Sequence, residues 1–378
     1  MKGIGLYIHI PFCKKKCFYC DFTSMAGRYD LVERYIDYLI MEISLYKDRI
    51  GDCPIETIFI GGGTPSSIDD VYIKRVLDYI YDNFNTNYLK EISIEANPGT
   101  LTLEKASAYR ESKIDRISLG LQTTQDEMLK DIGRIHRVDD FYRSYNILKE
   151  CGFDNINVDL IFGLPNQALK DVIGDLEVVT SLEIPHISYY SLIVEPDTPM
   201  YEWHRNGRLN LPDEDTERLM YHKGIEFLKS RGYEHYEISN FAKKGYQCKH
   251  NILYWKVEPY VGVGLGSHSN IYGKRYWNTS KFDVYFKQLD EGLMPTSGEE
   301  IIHRGMEMAE YCILGLRLID GIDIGKFKDR FGSSIYDIYG EQILKHSKNK
   351  LLREKSGKIA LTRKGLDLAN LVEVDFFP

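Results

Sequence analysis

No uninterrupted apolar run in the chain approaches the ~20 residues that a membrane-crossing helix needs. Positive charge is also short: 48 Lys and Arg stand against 56 Asp and Glu, a formal net charge of −8. Phosphate binding asks for a basic surface, so nucleic acid is not expected as the main partner. Cysteine is sparse, with seven in 378 residues. Three are clustered and Cys53, Cys151, Cys248 and Cys312 are scattered, which is not the even-numbered framework of a secreted disulfide protein. Pro11 and the cysteine cluster follow so soon after Met1 that no signal-peptide apolar core fits before them. These absences predict a soluble, cytoplasmic protein. What is present, 43% hydrophobic and 28% charged residues with 31 Gly, is ordinary globular composition. The length suits about two or three domains.

Short β-branched apolar runs at 6–10, 57–60, 92–96, 117–121, 156–162 and 187–194 alternate with longer amphipathic stretches. Leu31, Tyr35, Leu39, Ile43 and Tyr46 form one such helical stripe, with Asp30 as expected N-cap and Glu33 behind it. Thr124 and Glu127 suggest a second capping box, and Gly152 sits where a helix should stop. Repeated strand–helix alternation predicts a parallel sheet, open or curled into a partial barrel. Residues 234–298 are rich in Tyr, Gly and Lys and read as short β pieces without a helical period. Helical patterns return from Glu300, with short strands expected at 359–361 and 372–376. The expected organisation is therefore α/β: a barrel at 1–233, a β-rich segment at 234–298, and a small helical or winged-helix-like cap at 299–378.

Cys13, Cys17 and Cys20 form C-x3-C-x2-C in the loop after the first strand. Three thiolates facing one point are iron–sulfur ligands, and three rather than four leave one iron of a [4Fe–4S] cluster open. A zinc knot completed by Asp21 is the alternative, though the adjacent position is awkward for a fourth ligand. Gly61-Gly62-Gly63 ends the second predicted strand, where backbone N–H groups approach a ligand without Cβ interference. Glu95, Gln122, Arg134 and Asp159 all lie at strand ends or just beyond, the rim where polar groups converge in a parallel barrel.

With Tyr19 between the second and third cysteines, the motif resembles the signature of radical S-adenosylmethionine (SAM) proteins. Further elements in chain order extend the likeness: Tyr7 to Cys13, Gly61-Gly62-Gly63-Thr64-Pro65, Glu95-Ala96-Asn97-Pro98, Gly120-Leu121-Gln122 and Asp159 to Pro165. Together they resemble the oxygen-independent coproporphyrinogen III oxidase-like family. The resemblance implies a partial (β/α)6 TIM-like barrel whose Cys13, Cys17 and Cys20 hold a [4Fe–4S] cluster. It implies that Gly62, Gly63, Thr64, Glu95 and Asp159 hold SAM, that Gln122 and Arg134 contact it, and that Tyr7 and Tyr19 flank cluster and adenine. It also implies an electron donor and reductive SAM chemistry, with coproporphyrinogen oxidation as one activity of the family.

Two features favour the heme chaperone branch of that family, which delivers heme to apo-hemoproteins. The oxidases resemble C-x3-C-x2-C-x-C, whereas Phe22 occupies the last position here. His250-Asn251-Ile252-Leu253-Tyr254-Trp255 resembles that branch's H-N-x-x-Y-W heme motif, so His250, Asn251, Tyr254 and Trp255 are expected at heme. Imidazole is a common axial ligand and aromatics cover the macrocycle; Cys248 is the runner-up ligand. Residues 240–281 carry seven Lys or Arg against Glu258 alone, suited to heme propionates, an acidic partner or a peripheral membrane contact. Gly262, Gly264 and Gly266 lack the βαβ setting of a dinucleotide site.

Overall fold

The protein is described by a computed structural model covering residues 3–378. Six strands pair in parallel, each with the next: β1 (Ile4–Ile10), β2 (Ile55–Gly62), β3 (Glu91–Ala96), β4 (Arg116–Gln122), β5 (Asn155–Phe162) and β6 (His186–Ser191). Between and after them run α1 (Val32–Leu45), α2 (Asp70–Asn83), α3 (Leu103–Glu111), α4 (Val138–Glu150), α5 (Leu169–Ser181) and α6 (Glu214–Ser230). This is the expected partial (β/α)6 barrel. Gly152, at φ +77°, ends the α4 turn as its position suggested.

The strands alternate for a physical reason. Ile92, Ile94, Ile117, Leu119, Ile156 and Val158 are buried in the main apolar core with the helices. The intervening residues are polar and satisfy one another: Asn157 donates to Ser118 Oγ (2.7 Å) and Asp159 Oδ1 (2.8 Å), and its Oδ1 meets His186 Nδ1 (2.6 Å). The barrel interior is thus a hydrogen-bonded polar layer, which buried polar groups require.

Antiparallel strands extend both edges. β7 (Glu234–Glu237) and β8 (Asn240–Ala242) follow β6, while β9 (Tyr260–Val263) lies parallel to β1 and continues through β10 (His268–Ile271), β11 (Lys274–Asn278) and β12 (Thr296–Ile301). The sheet order is β12-β11-β10-β9-β1-β2-β3-β4-β5-β6-β8-β7. Glu42 of α1 ties the extension to the barrel, accepting from Gly264 N–H (2.7 Å), Asn278 Nδ2 (2.6 Å) and the Tyr285 hydroxyl (2.6 Å). A second apolar core, from Cys312 to Phe376, joins α9 (Arg304–Arg317), α10 (Ile324–Phe331) and α11 (Ile335–Lys348) to a three-stranded sheet. Among the described residues no helix is long and apolar enough to cross a membrane.

Several local expectations need correction. The Tyr- and Gly-rich segment holds two helices, α7 (Lys249–Trp255) and α8 (Phe282–Asp290), so the H-N-x-x-Y-W motif is helical rather than β. Residues expected as a strand at 372–376 instead end a helix, Ala369–Val374. Asp30 caps nothing: it lies in a one-turn 3-10 helix and pairs with Arg28 at 3.0 Å. Thr124 is likewise diverted, its N–H (2.7 Å) and hydroxyl (2.5 Å) both donating to Asp175, while the next helix begins at Asp126.

Candidate functional site

The cysteine loop leaves the end of β1 and returns through a two-residue parallel pairing of Phe12–Cys13 with Met25–Ala26. Phe18 pins its far side, its N–H donating to Ile132 O (3.0 Å) and its ring meeting Trp203 edge-on at 4.9 Å. Gly133 is required there, since a Cβ would stand 2.8 Å from the Phe18 ring. All three thiols are free and line one cavity of about 320 Å³. Cys13 Sγ lies 3.5 Å from Thr64 Oγ1, and Arg134 Nη1 lies 3.5 Å from Cys17 Sγ. Burial raises the Cys13 thiol and pushes Cys20 up to about 11, so both carry protons that metal loading must displace. Among the described residues no three His, Cys, Asp or Glu side chains stand close enough together to hold a single metal ion.

The other predicted residues gather on the same cavity. Tyr19, Gly62, Gly63, Thr64, Glu95, Gln122, Arg134 and Asp159 all line it. Gly63 lies so close to the loop that a Cβ would sit 2.8 Å from Phe12 O and 2.9 Å from Cys13 Sγ. Gly62 has φ +118°, and a Cβ there would meet His9 at 2.6 Å, so this turn excludes side chains on the barrel side. Its N–H donates to Glu95 Oε2 at 3.1 Å. Burial first, then neighbouring Asp159, pushes the Glu95 carboxyl up to about 7. Burial also raises Asp159, despite hydrogen bonds from Ser118 and Asn157. Arg134 donates to Asn97 Oδ1 (3.0 Å) and to Gly120 O, while its Nε has no partner among the described residues. Gln122, at φ +74°, accepts from the Tyr190 hydroxyl at 3.2 Å. Two half-buried carboxyl groups and a guanidinium with an unsatisfied donor line one cavity, a set that suits an amino acid's ammonium and carboxylate, the end that SAM presents.

Tyr7 faces elsewhere. It lines a second cavity of about 560 Å³ with His9, Phe22, Tyr254, Trp255, Tyr260 and His268. Phe22, Gly62 and Glu95 border both cavities.

The residues of the heme motif separate on α7. Glu91, at the start of β3, accepts from Lys249 N–H (2.8 Å), His250 N–H (3.2 Å) and Cys248 Sγ (3.4 Å), fixing the helix N-terminus on the barrel floor. His250 is fully buried there, with Nδ1 bonded to Thr57 Oγ1 (2.8 Å) and Nε2 to the Tyr254 hydroxyl (2.7 Å). Burial, then Arg116, lowers its pKa to about 3. Cys248 is also fully buried and its thiol is pushed up to about 12. Tyr254 and Trp255, one turn on, reach the larger cavity, while Asn251 stays half-buried on the helix. The basic residues of 240–281 divide: Lys243 bonds Arg231 O near the β8 edge, whereas Lys274 and Arg275 lie on β11 toward the opposite edge. Reading the sequence missed Glu91 and Arg116, although polar residues at every second position of β3 and β4 mark this inner face.

Comparison with known proteins agrees with this fold. The family model described as the radical SAM superfamily matches residues 7–179, and that of the HemN C-terminal domain matches residues 306–368. The chain is 38% identical to the heme chaperone HemW of Lactococcus lactis, over 98% of this chain and 96% of that protein. It is 36% identical to the heme chaperone HemW of Bacillus subtilis, over 97% of each. The solved coproporphyrinogen III oxidase HemN of Escherichia coli shares the fold, with TM-score 0.86, 23% identity, and coverage of 99% of this chain and 90% of that one.

Proposed function

Since the chain belongs to the heme chaperone HemW family within the radical SAM superfamily, we propose that it binds heme and passes it to apo-hemoproteins. The observation that carries this reading is the pair of adjoining cavities, one lined by three free thiols and the other by aromatic side chains. In the first, Cys13, Cys17 and Cys20 would hold a [4Fe–4S] cluster. The turn Gly62-Gly63-Thr64 with Tyr19, Glu95, Gln122, Arg134 and Asp159 would hold SAM. Bound there, the two cofactors supply one-electron chemistry. Arg134 sets its guanidinium beside Cys17 Sγ, and Phe18 packs the loop against Trp203.

In the second cavity the H-N-x-x-Y-W residues build a wall for heme: His250 anchors α7, and Tyr7, Tyr254 and Trp255 supply aromatic surface. Asn251 lies on the same helix. An electron donor for the cluster would meet the loop at Lys15 and Lys16, which border the thiol cavity. Seven free cysteines support a cytoplasmic setting. Sedimentation with anionic vesicles tests the peripheral membrane contact that the basic residues of 240–281 suggest.

The deciding assay uses anaerobically reconstituted protein. Tight binding of ferric heme, and its transfer to an apo-hemoprotein in a SAM-containing mixture, is the expected result. Turnover of coproporphyrinogen III with SAM and reductant, under conditions that support an authentic oxidase, would replace the chaperone reading with an enzymatic one.

A further inference from the structure

Both nitrogens of His250 are taken and the ring reaches neither cavity. Two histidines do line the larger cavity. His9 is closed in the same way, with Nδ1 3.0 Å from the Tyr7 hydroxyl and Nε2 2.7 Å from Thr23 O. His268 is different: it is exposed on β10, and among the described residues neither ring nitrogen makes a hydrogen bond.

The setting of His268 suits a flat, apolar, iron-bearing ligand. Across the β10–β11 pair its ring stacks on Trp277 at 5.9 Å between centroids, with planes 24° apart. Trp277 in turn lies over Gly298 of β12, where a Cβ would stand 2.3 Å from the indole, so a side chain at 298 would lift this platform. Tyr254 and Tyr260 line the same cavity and meet edge to face at 4.6 Å. The indole N–H of Trp255 is buried and has no acceptor among the described residues. The cavity volume, about 560 Å³, falls within the ~300–1,000 Å³ usual for cofactor-sized ligands.

We propose that heme lies in this cavity, between α7 and the β10–β11 face, and that His268 supplies an axial nitrogen to its iron. This rests on the heme-binding reading above. His250 is then a positioning residue: its bond to the Tyr254 hydroxyl holds that ring as cavity wall. The bond formed is a dative one from the free imidazole lone pair, so no oxidant or reductant is consumed.

The test titrates ferric heme into the full-length, cluster-loaded protein and its His268→Ala and His250→Ala variants. It follows Soret difference spectra and electron paramagnetic resonance. His268 is exposed on its strand, and far-UV circular dichroism checks that its variant folds. Expected for His268→Ala are loss of the imidazole-ligated signature and its return on adding free imidazole. His250→Ala should keep that signature while affinity falls several-fold. A wild-type spectrum in His268→Ala, or loss of imidazole ligation in His250→Ala alone, overturns the assignment of the ligand. Failure of the wild type to bind heme at all overturns the heme-binding reading, and this inference with it.

Discussion

Glu95 offers a quantitative test of the cofactor pocket. Moving its carboxyl from the ordinary 4.5 to about 7 makes ionisation at most about 3 kcal/mol costlier in the fold than in the unfolded chain. The value is an upper bound, because Glu95 borders a cavity that water can enter. The sign follows from proton linkage. Between pH 4.5 and 7 the folded chain holds the proton and the unfolded chain does not, so ligand-free stability falls as pH rises through that window and levels off above it. A ligand presenting an ammonium group prefers the ionised carboxylate. SAM affinity should therefore rise with pH, by about fivefold from pH 6 to 7, and approach its plateau by about pH 8. Higher pH is uninformative, since an α-amino group begins to lose its own proton near about 8. Calorimetry in two buffers of different ionisation enthalpy should show protons released on binding at pH 6.5. Glu95→Gln should bind SAM weakly with no rise over this range, and its stability should vary less with pH than that of the wild type. Wild-type affinity that is flat from pH 6 to 7.5, or a rise that survives in Glu95→Gln, would refute the argument.

Two further outcomes follow from the packing. Cys17→Ala should abolish the broad visible iron–sulfur absorbance while far-UV circular dichroism stays nearly unchanged; four irons per chain in the reconstituted variant would count against the cluster assignment. Glu42→Ala should lower stability by about 3–5 kcal/mol in denaturant melts, because three donors from Gly264, Asn278 and Tyr285 lose their buried acceptor. Glu42→Gln should recover much of that loss.

What the sequence revealed depended on how local the signal was. The six parallel strands announce themselves because each is a short β-branched run between amphipathic helices, and the cysteine and glycine loops follow them in order. The helix α7 was hidden by its composition: Tyr, Asn, His and Trp are poor helix formers, and Glu91 from a distant strand stabilises its N-terminus. The i,i+4 spacing of His250 and Tyr254 was the available clue. Asp30 and Thr124 failed as caps because each found a stronger partner, Arg28 nearby and Asp175 from another helix. The distinction between His250 and His268 could not be read from spacing. It depends on Thr57, 193 residues away in sequence, occupying one ring nitrogen.

The wall shared by the two cavities has a thermodynamic consequence. Gly62 and Glu95 face both, and the Gly62 N–H is bonded to the Glu95 carboxylate. Occupants on either side therefore act on the same peptide and the same charge. Whatever factor SAM imposes on affinity for the tetrapyrrole, the tetrapyrrole must impose on affinity for SAM, because the closed cycle of binding steps permits only one coupling energy. With the cofactor and the cargo seated as proposed, any such coupling would be carried by the residues that border both cavities, Phe22, Gly62 and Glu95.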